Sequence, residues 1–154
     1  MPHLLAYVLI GLFGLFSFSV ESAEAAGTSD ESSETEAGAP AYAAAKAAVD
    51  AKDFATALPL LEALTAAEPQ NADAWNLLGF SNRKIGHLDI AAVAYTKALT
   101  INPGHLGALE YQGEMYLEMG EIDKARANLD RLVGLCGSCE EQADLAEALE
   151  KAGS

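Results

Sequence analysis

The sequence predicts an all-α chain: a solenoid of three stacked helix-turn-helix repeats closed by a C-terminal capping helix. Three observations carry that prediction. First, the stretch from Ala72 to His105 reads as two amphipathic helices, with Trp75, Leu78, Gly79 and Phe80 on the first and Ala91, Ala92, Tyr95, Ala98 and Leu99 on the second. Gly86 separates them and Pro103 ends the second. Second, the same punctuation recurs every 34 residues, at Ala57, Ala91 and Ala125, at Gly79 and Gly113, at Gly86 and Gly120, and at Pro69 and Pro103. One helical hairpin cannot bury its apolar face alone, so neighbours in phase are what the pattern requires. Third, Glu140 to Ala152 places Leu145, Leu149 and Ala148 or Ala146 on one face and Glu147, Glu150 and Lys151 on the other, the polar-backed end that a solenoid needs.

Taken in order, the chain begins with an unbroken apolar run, Leu4 to Val20, followed by Ala23-Glu24-Ala25 in the small-x-small form of a signal peptidase site. The expectation is a signal peptide over 1–25, cleaved after Ala25, and a periplasmic or secreted protein. The alternative is a retained anchor in the inner membrane, because Met1-Pro2-His3 carries no Lys or Arg and the run is long for a signal but short for a span. Residues 26–39, rich in Ser, Thr, Glu and Asp, predict an acidic disordered linker that cannot offset its ordering entropy. The repeats then fill 40–139, in the registers 38–71, 72–105 and 106–139, and 140–154 forms the cap.

The first repeat is the degenerate one. Its first helix is an alanine-rich run with Ala41, Ala44, Ala45 and Ala48, and Lys52 replaces the turn glycine. Phe54, Leu58, Leu61 and Leu64 supply the core of its second helix, where Pro59 lies close enough to the start to cost little. The third repeat keeps Leu109, Gly113, Tyr116, Gly120, Ala125 and Leu129, with Gly137 where a third proline would stand. Ser138 and Glu141 read as a capping box for the last helix.

Net charge is −14, from 23 acidic and 9 basic residues. That excess repels nucleic acid and anionic lipid, so neither is expected as a partner, nor a membrane once the signal is removed. Cys136-Gly-Ser-Cys139 is the single thiol motif. In an exported protein two cysteines point to a disulfide, here one that sets the angle of the cap helix. A thiol-disulfide redox role is the enzymatic alternative; it lacks any βαβ pattern, and Glu140-Glu141 beside the sulfur disfavour a thiolate. His3, His87 and His105 have no metal-ligand spacing, the two later ones reading as exposed turn residues, and no catalytic or cofactor motif is present, so no enzyme, metal or cofactor is expected.

In order, Trp75, Leu78-Gly79, Gly86, Ala91, Tyr95, Ala98 and Pro103 resemble the tetratricopeptide repeat (TPR) family, and the layout is similar to small secreted bacterial TPR proteins. The resemblance implies a right-handed solenoid acting as a scaffold or protein-protein interaction module. It departs from the family pattern at Gln112, which occupies a usual leucine position. In that family the first helix of each repeat lines a concave groove. By resemblance the groove residues here are Tyr42, Lys46, Val49 and Asp50, then Asp73, Asn76, Phe80, Arg83 and Lys84, then Glu110, Glu114, Leu117 and Glu118. Arg83 and Lys84 beside an exposed Phe80 ring form the basic feature of that row, and the expected ligand is a peptide or protein segment. A carboxylate clamp is not expected: of its positions only Asn76 matches, while Tyr42, Lys46, Gly107 and Tyr111 hold the others. An anchored assembly subunit, for example in cytochrome maturation, is a further alternative, and self-association through the Ala-rich first helix stays open.

Overall fold

The computed structural model describes residues 31–153; the signal or anchor expected over 1–25 lies outside the described residues. Seven helices follow in order: α1 Glu31–Asp50, α2 Phe54–Ala67, α3 Ala72–Lys84, α4 Leu88–Ile101, α5 Leu106–Glu118, α6 Ile122–Cys136 and α7 Glu140–Gly153. Helices α1/α2, α3/α4 and α5/α6 pair as hairpins, and the first helices stack on one another in the row α1, α3, α5, α7. The cap therefore occupies the place of the first helix of a fourth repeat.

One boundary differs from the sequence reading. A disordered spacer is predicted over 26–39, yet α1 begins at Glu31 and runs through Pro40. Glu and Ala propagate a helix well once the Ala-rich segment has nucleated it, and Pro40 removes a single intrahelical N–H.

The remaining boundaries follow from local chemistry. Asp53 caps α2, accepting from Thr56 N at 3.1 Å, and Asn71 caps α3, accepting from Ala74 N at 3.0 Å. His105 is not merely an exposed turn residue: it is half-buried, and its Nδ1 accepts from Ala108 N at 3.2 Å to start α5. The turns within the second and third hairpins, at Gly86 and Gly120, have φ of 85° and 76°, and Lys52 in the first takes the same left-handed conformation at 59°. A side chain there costs about 1–2 kcal/mol that glycine avoids. The last helix starts at Glu140, as expected, but Cys139 rather than Ser138 precedes it as the cap residue, its carbonyl accepting the first helical bond from Ala143 N at 3.1 Å.

Three apolar clusters hold the stack. Ala45, Val49, Ala57, Leu61, Leu78 and Ala94 join the first repeat to the second, with half-buried Trp75 and Phe80 against them. Ala91, Tyr95 and Met115 join the second to the third. Leu109, Leu132 and Leu145 seat the cap. At Gly79 an added Cβ would lie 2.7 Å from the Tyr95 ring, and at Gly113 it would lie 2.6 Å from Leu145 Cδ2. Leu129 holds the register of Tyr95 in the third repeat, but the side chain over Gly113 is Leu145 of the cap. The leucine replacement Gln112 is buried and accepts from Asn128 Nδ2 at 3.1 Å, while the same amide donates to Leu109 O at 3.0 Å.

The repeat joints are tied by the two in-phase prolines. Pro69 O accepts from Trp75 Nε1 at 3.1 Å, and Pro103 O from Arg131 Nη2 at 2.8 Å.

Two substitutions test this packing by urea denaturation. Gly79→Ala drives a methyl into a rigid, fully buried ring and should cost about 1–3 kcal/mol, whereas Gly113→Ala meets rotatable leucine methyls and should cost less. Lys52→Gly should instead stabilise the protein by about 0.5–1 kcal/mol, the released strain exceeding the added backbone entropy of the unfolded chain.

Candidate functional site

Stacking of α1, α3, α5 and α7 brings the residues of corresponding helical turns into rows: Tyr42, Asn76 and Glu110, then Lys46, Phe80 and Glu114. The basic end of this face is quieter than its sequence suggests. Lys46 is exposed and donates to Asp50 Oδ2 at 2.7 Å, a same-helix pair that raises its pKa. Asp73 Oδ1 lies 3.0 Å from His105 Nε2, off hydrogen-bond alignment, and joins the starts of α3 and α5. Tyr42 is half-buried; burial first, then Asp73, raise its pKa.

Arg83 departs most from its expected role. It is only 5% exposed, and its guanidinium is ion-paired to Glu114 and, at 2.9 Å, to Glu118. Buried Tyr95 lies beside it, and burial pushes the phenol's pKa up. The cation expected on the surface is thus an internal bridge from the second repeat to the third. Of the Arg83-Lys84 pair only Lys84 stays exposed, with Nζ 5.1 Å from the Phe80 ring centre.

Phe80 is not the exposed ring that the sequence suggests. It is half-buried between Phe54, 6.3 Å away, and Tyr111, 4.9 Å away, and Arg83 sits 5.8 Å from both the Phe80 and Tyr111 rings. Asn76 is buried, with Oδ1 unpartnered among the described residues. Val49 belongs to the first core cluster rather than to the face, and Leu117 packs partly into the third.

The acidic end is the more unusual. Glu110 is 7% exposed and makes no hydrogen bond or ion pair among the described residues. Burial, reinforced by Glu114, Asp144 and Glu141 and opposed by Arg83, pushes its carboxyl up to about 8. Glu141 and Asp144 belong to α7 and were missed by the sequence reading. The signal was present: carrying the 34-residue register one step past 106 starts a further repeat at 140, and the groove positions of that repeat are Glu141 and Asp144. At the α6–α7 joint Cys136 and Cys139 are bonded, and the joint bends at Gly137, whose φ is 71°.

Stacked helical hairpins with an inner row of first helices define a class of helical-repeat protein. Residues 42–104 match the family model described as Tetratricopeptide repeat, and the chain carries repeats of that kind in an all-α TPR solenoid. None of the curated proteins matches the sequence. Among solved structures, the Arabidopsis OM64 TPR domain is 17% identical, with 77% of this chain and 98% of that one covered at a TM-score of 0.70. The TPR2B domain of yeast Sti1, in its pHsp70 complex, is 15% identical, with 75% and 95% covered at a TM-score of 0.69. MamA of Desulfovibrio magneticus RS-1 is 26% identical over 65% of this chain at a TM-score of 0.61, and the match spans 56% of that protein. The first two likenesses concern the fold.

Two measurements check the electrostatics. Between pH 4.5 and about 8 folded Glu110 keeps a proton that the unfolded chain has released. Stability contributed at this site should therefore fall as pH rises through that window, by at most about 1.4 kcal/mol per unit, and level off above it. Glu110→Gln should flatten the pH profile of the urea midpoint and leave the variant more stable than the parent at alkaline pH. Arg83→Ala, which strands Glu114 beside Tyr95, should cost about 3 kcal/mol.

Proposed function

We propose that this protein is a non-enzymatic interaction module of the bacterial cell envelope, exported to the periplasm, whose row of first helices forms a concave groove that holds a segment of a partner protein. The observation that carries the reading is the Phe80–Tyr111 ring pair at the middle of that row, half-buried and flanked by Lys84. Aromatic rings set between charged turns suit an extended chain or an amphipathic helix, giving it apolar area without the entropic cost of long flexible side chains. The likeness to a Sti1 domain in its pHsp70 complex supports the same mode of use. The bonded cysteines serve as a staple that fixes where α7 leaves α6, so that the cap completes the groove wall.

Site-specific photo-crosslinking in the native cell tests both parts. A photoreactive residue at Lys84 should capture a defined envelope protein that the same probe at exposed Val93, on the second-helix side, does not. Identical captures from the two positions would defeat the groove. N-terminal sequencing of the mature protein should begin at Ala26, and a start at Met1 would favour an anchor.

A further inference from the structure

Taking the groove reading as its basis, we propose that the end of the groove where α5 meets α7 receives a cationic side chain of the partner, an arginine or lysine, held by Glu110, Glu114, Glu141 and Asp144.

Four observations converge there. The buried basic residue among the described ones is Arg83, and its guanidinium is already taken by Glu114 and Glu118. No internal cation is left for Glu110, a residue more than nine-tenths buried whose carboxyl, open to solvent at its tip, has neither hydrogen bond nor ion pair among the described residues. Carboxylates from two helices act on it through space, Glu114 one turn along its own helix and Glu141 and Asp144 on α7, which packs against α5. The adjoining rings of Phe80 and Tyr111 already carry basic groups at 5.1–5.8 Å, so this surface accepts cations over its faces.

A buried carboxyl in this setting is neutral only because it holds a proton, which a guanidinium or ammonium would displace. Binding then releases H⁺ from Glu110 to solvent and forms a charge-assisted carboxylate pair, with the incoming positive charge replacing the departing one. The chain's −14 net charge steers such a segment toward the protein, and the seam selects where it stops. Acidic partner ends are excluded by the same charges, which agrees with the mismatch at the clamp positions.

Isothermal titration of the full chain with a peptide alternating Arg and Gly, and with its Glu-Gly counterpart, tests the proposal. Run in phosphate and in Tris, the titrations report proton release through the difference in buffer ionisation heat. The Arg peptide should bind and release close to one proton at neutral pH and almost none near pH 9, while the Glu peptide should not bind. Glu110→Gln should abolish the proton release and weaken binding about tenfold, with its circular-dichroism spectrum confirming the fold. Asp144→Asn, at an exposed position, should weaken binding several-fold, and Asp130→Asn on α6 should not. Equal losses from Asp130→Asn and Asp144→Asn would mean diffuse attraction and overturn the site. Failure of the Arg peptide to bind, or binding without proton release, would also overturn it. Capture from Lys84 of a partner lacking basic residues would sink this inference and leave the groove standing; loss of selective capture would remove both.

Discussion

A missing methyl group at Gly79 and Gly113 sets the spacing on which the stack depends. Protein interiors are packed nearly as densely as organic crystals, so two helices approach only as closely as their bulkiest facing atoms allow. At Gly79 the vacated space is filled by the Tyr95 ring, and at Gly113 by Leu145 from the cap. The two glycines occupy the same register, yet one closes a hairpin and the other seats the chain's last helix. In the third repeat Leu129 stands at Tyr95's register and packs in the same cluster as Leu145, which is the residue that faces Gly113. Leu145 is the fully buried member of α7, so the cap's attachment is concentrated in one leucine, one glycine and one disulfide.

That seating has an electrostatic consequence. Placing α7 as a fourth first helix sets its acidic first turns against α5, where Glu110 is already buried. Meanwhile Arg83, the residue that would have balanced them, is drawn inward toward Tyr95, Glu114 and Glu118. Buried ion pairs of this kind contribute little net stability against an apolar alternative, but breaking one is costly, so they hold a particular arrangement in place. Here the arrangement is the alignment of the second repeat with the third, and its by-product is a face basic at one turn and acidic at the next.

Much of the architecture was legible before any coordinates. The 34-residue recurrence located three hairpins and their registers, because a turn glycine, a small crossing residue and a terminating proline each act through local backbone chemistry. Asp53 and Asn71 announce helix starts for the same reason. Lys52, standing where its counterparts are glycines, even takes their left-handed backbone, since the packed helices on both sides leave that turn one path. What the pattern misjudged was the first helix, whose acidic leader continues the α-helix rather than standing apart from it.

The face was harder to read than the fold. Periodicity says which side of a helix a residue occupies, and it placed Tyr42, Asn76, Phe80, Glu110 and Glu114 on one row. It does not say how far a long side chain will turn to find a partner on another helix. Arg83 reaches glutamates roughly one repeat away in sequence, the Gln112–Asn128 pair forms across a hairpin, and Glu110 meets the negative charges of a helix starting thirty residues later. The sequence by itself determined the helices, their turns and their order, all consequences of short-range backbone and hydrophobic constraints. Only the tertiary structure decided which charges are spent inside and which carboxyl is left without a counterion, because burial and Coulomb interactions depend on distance in space and not along the chain.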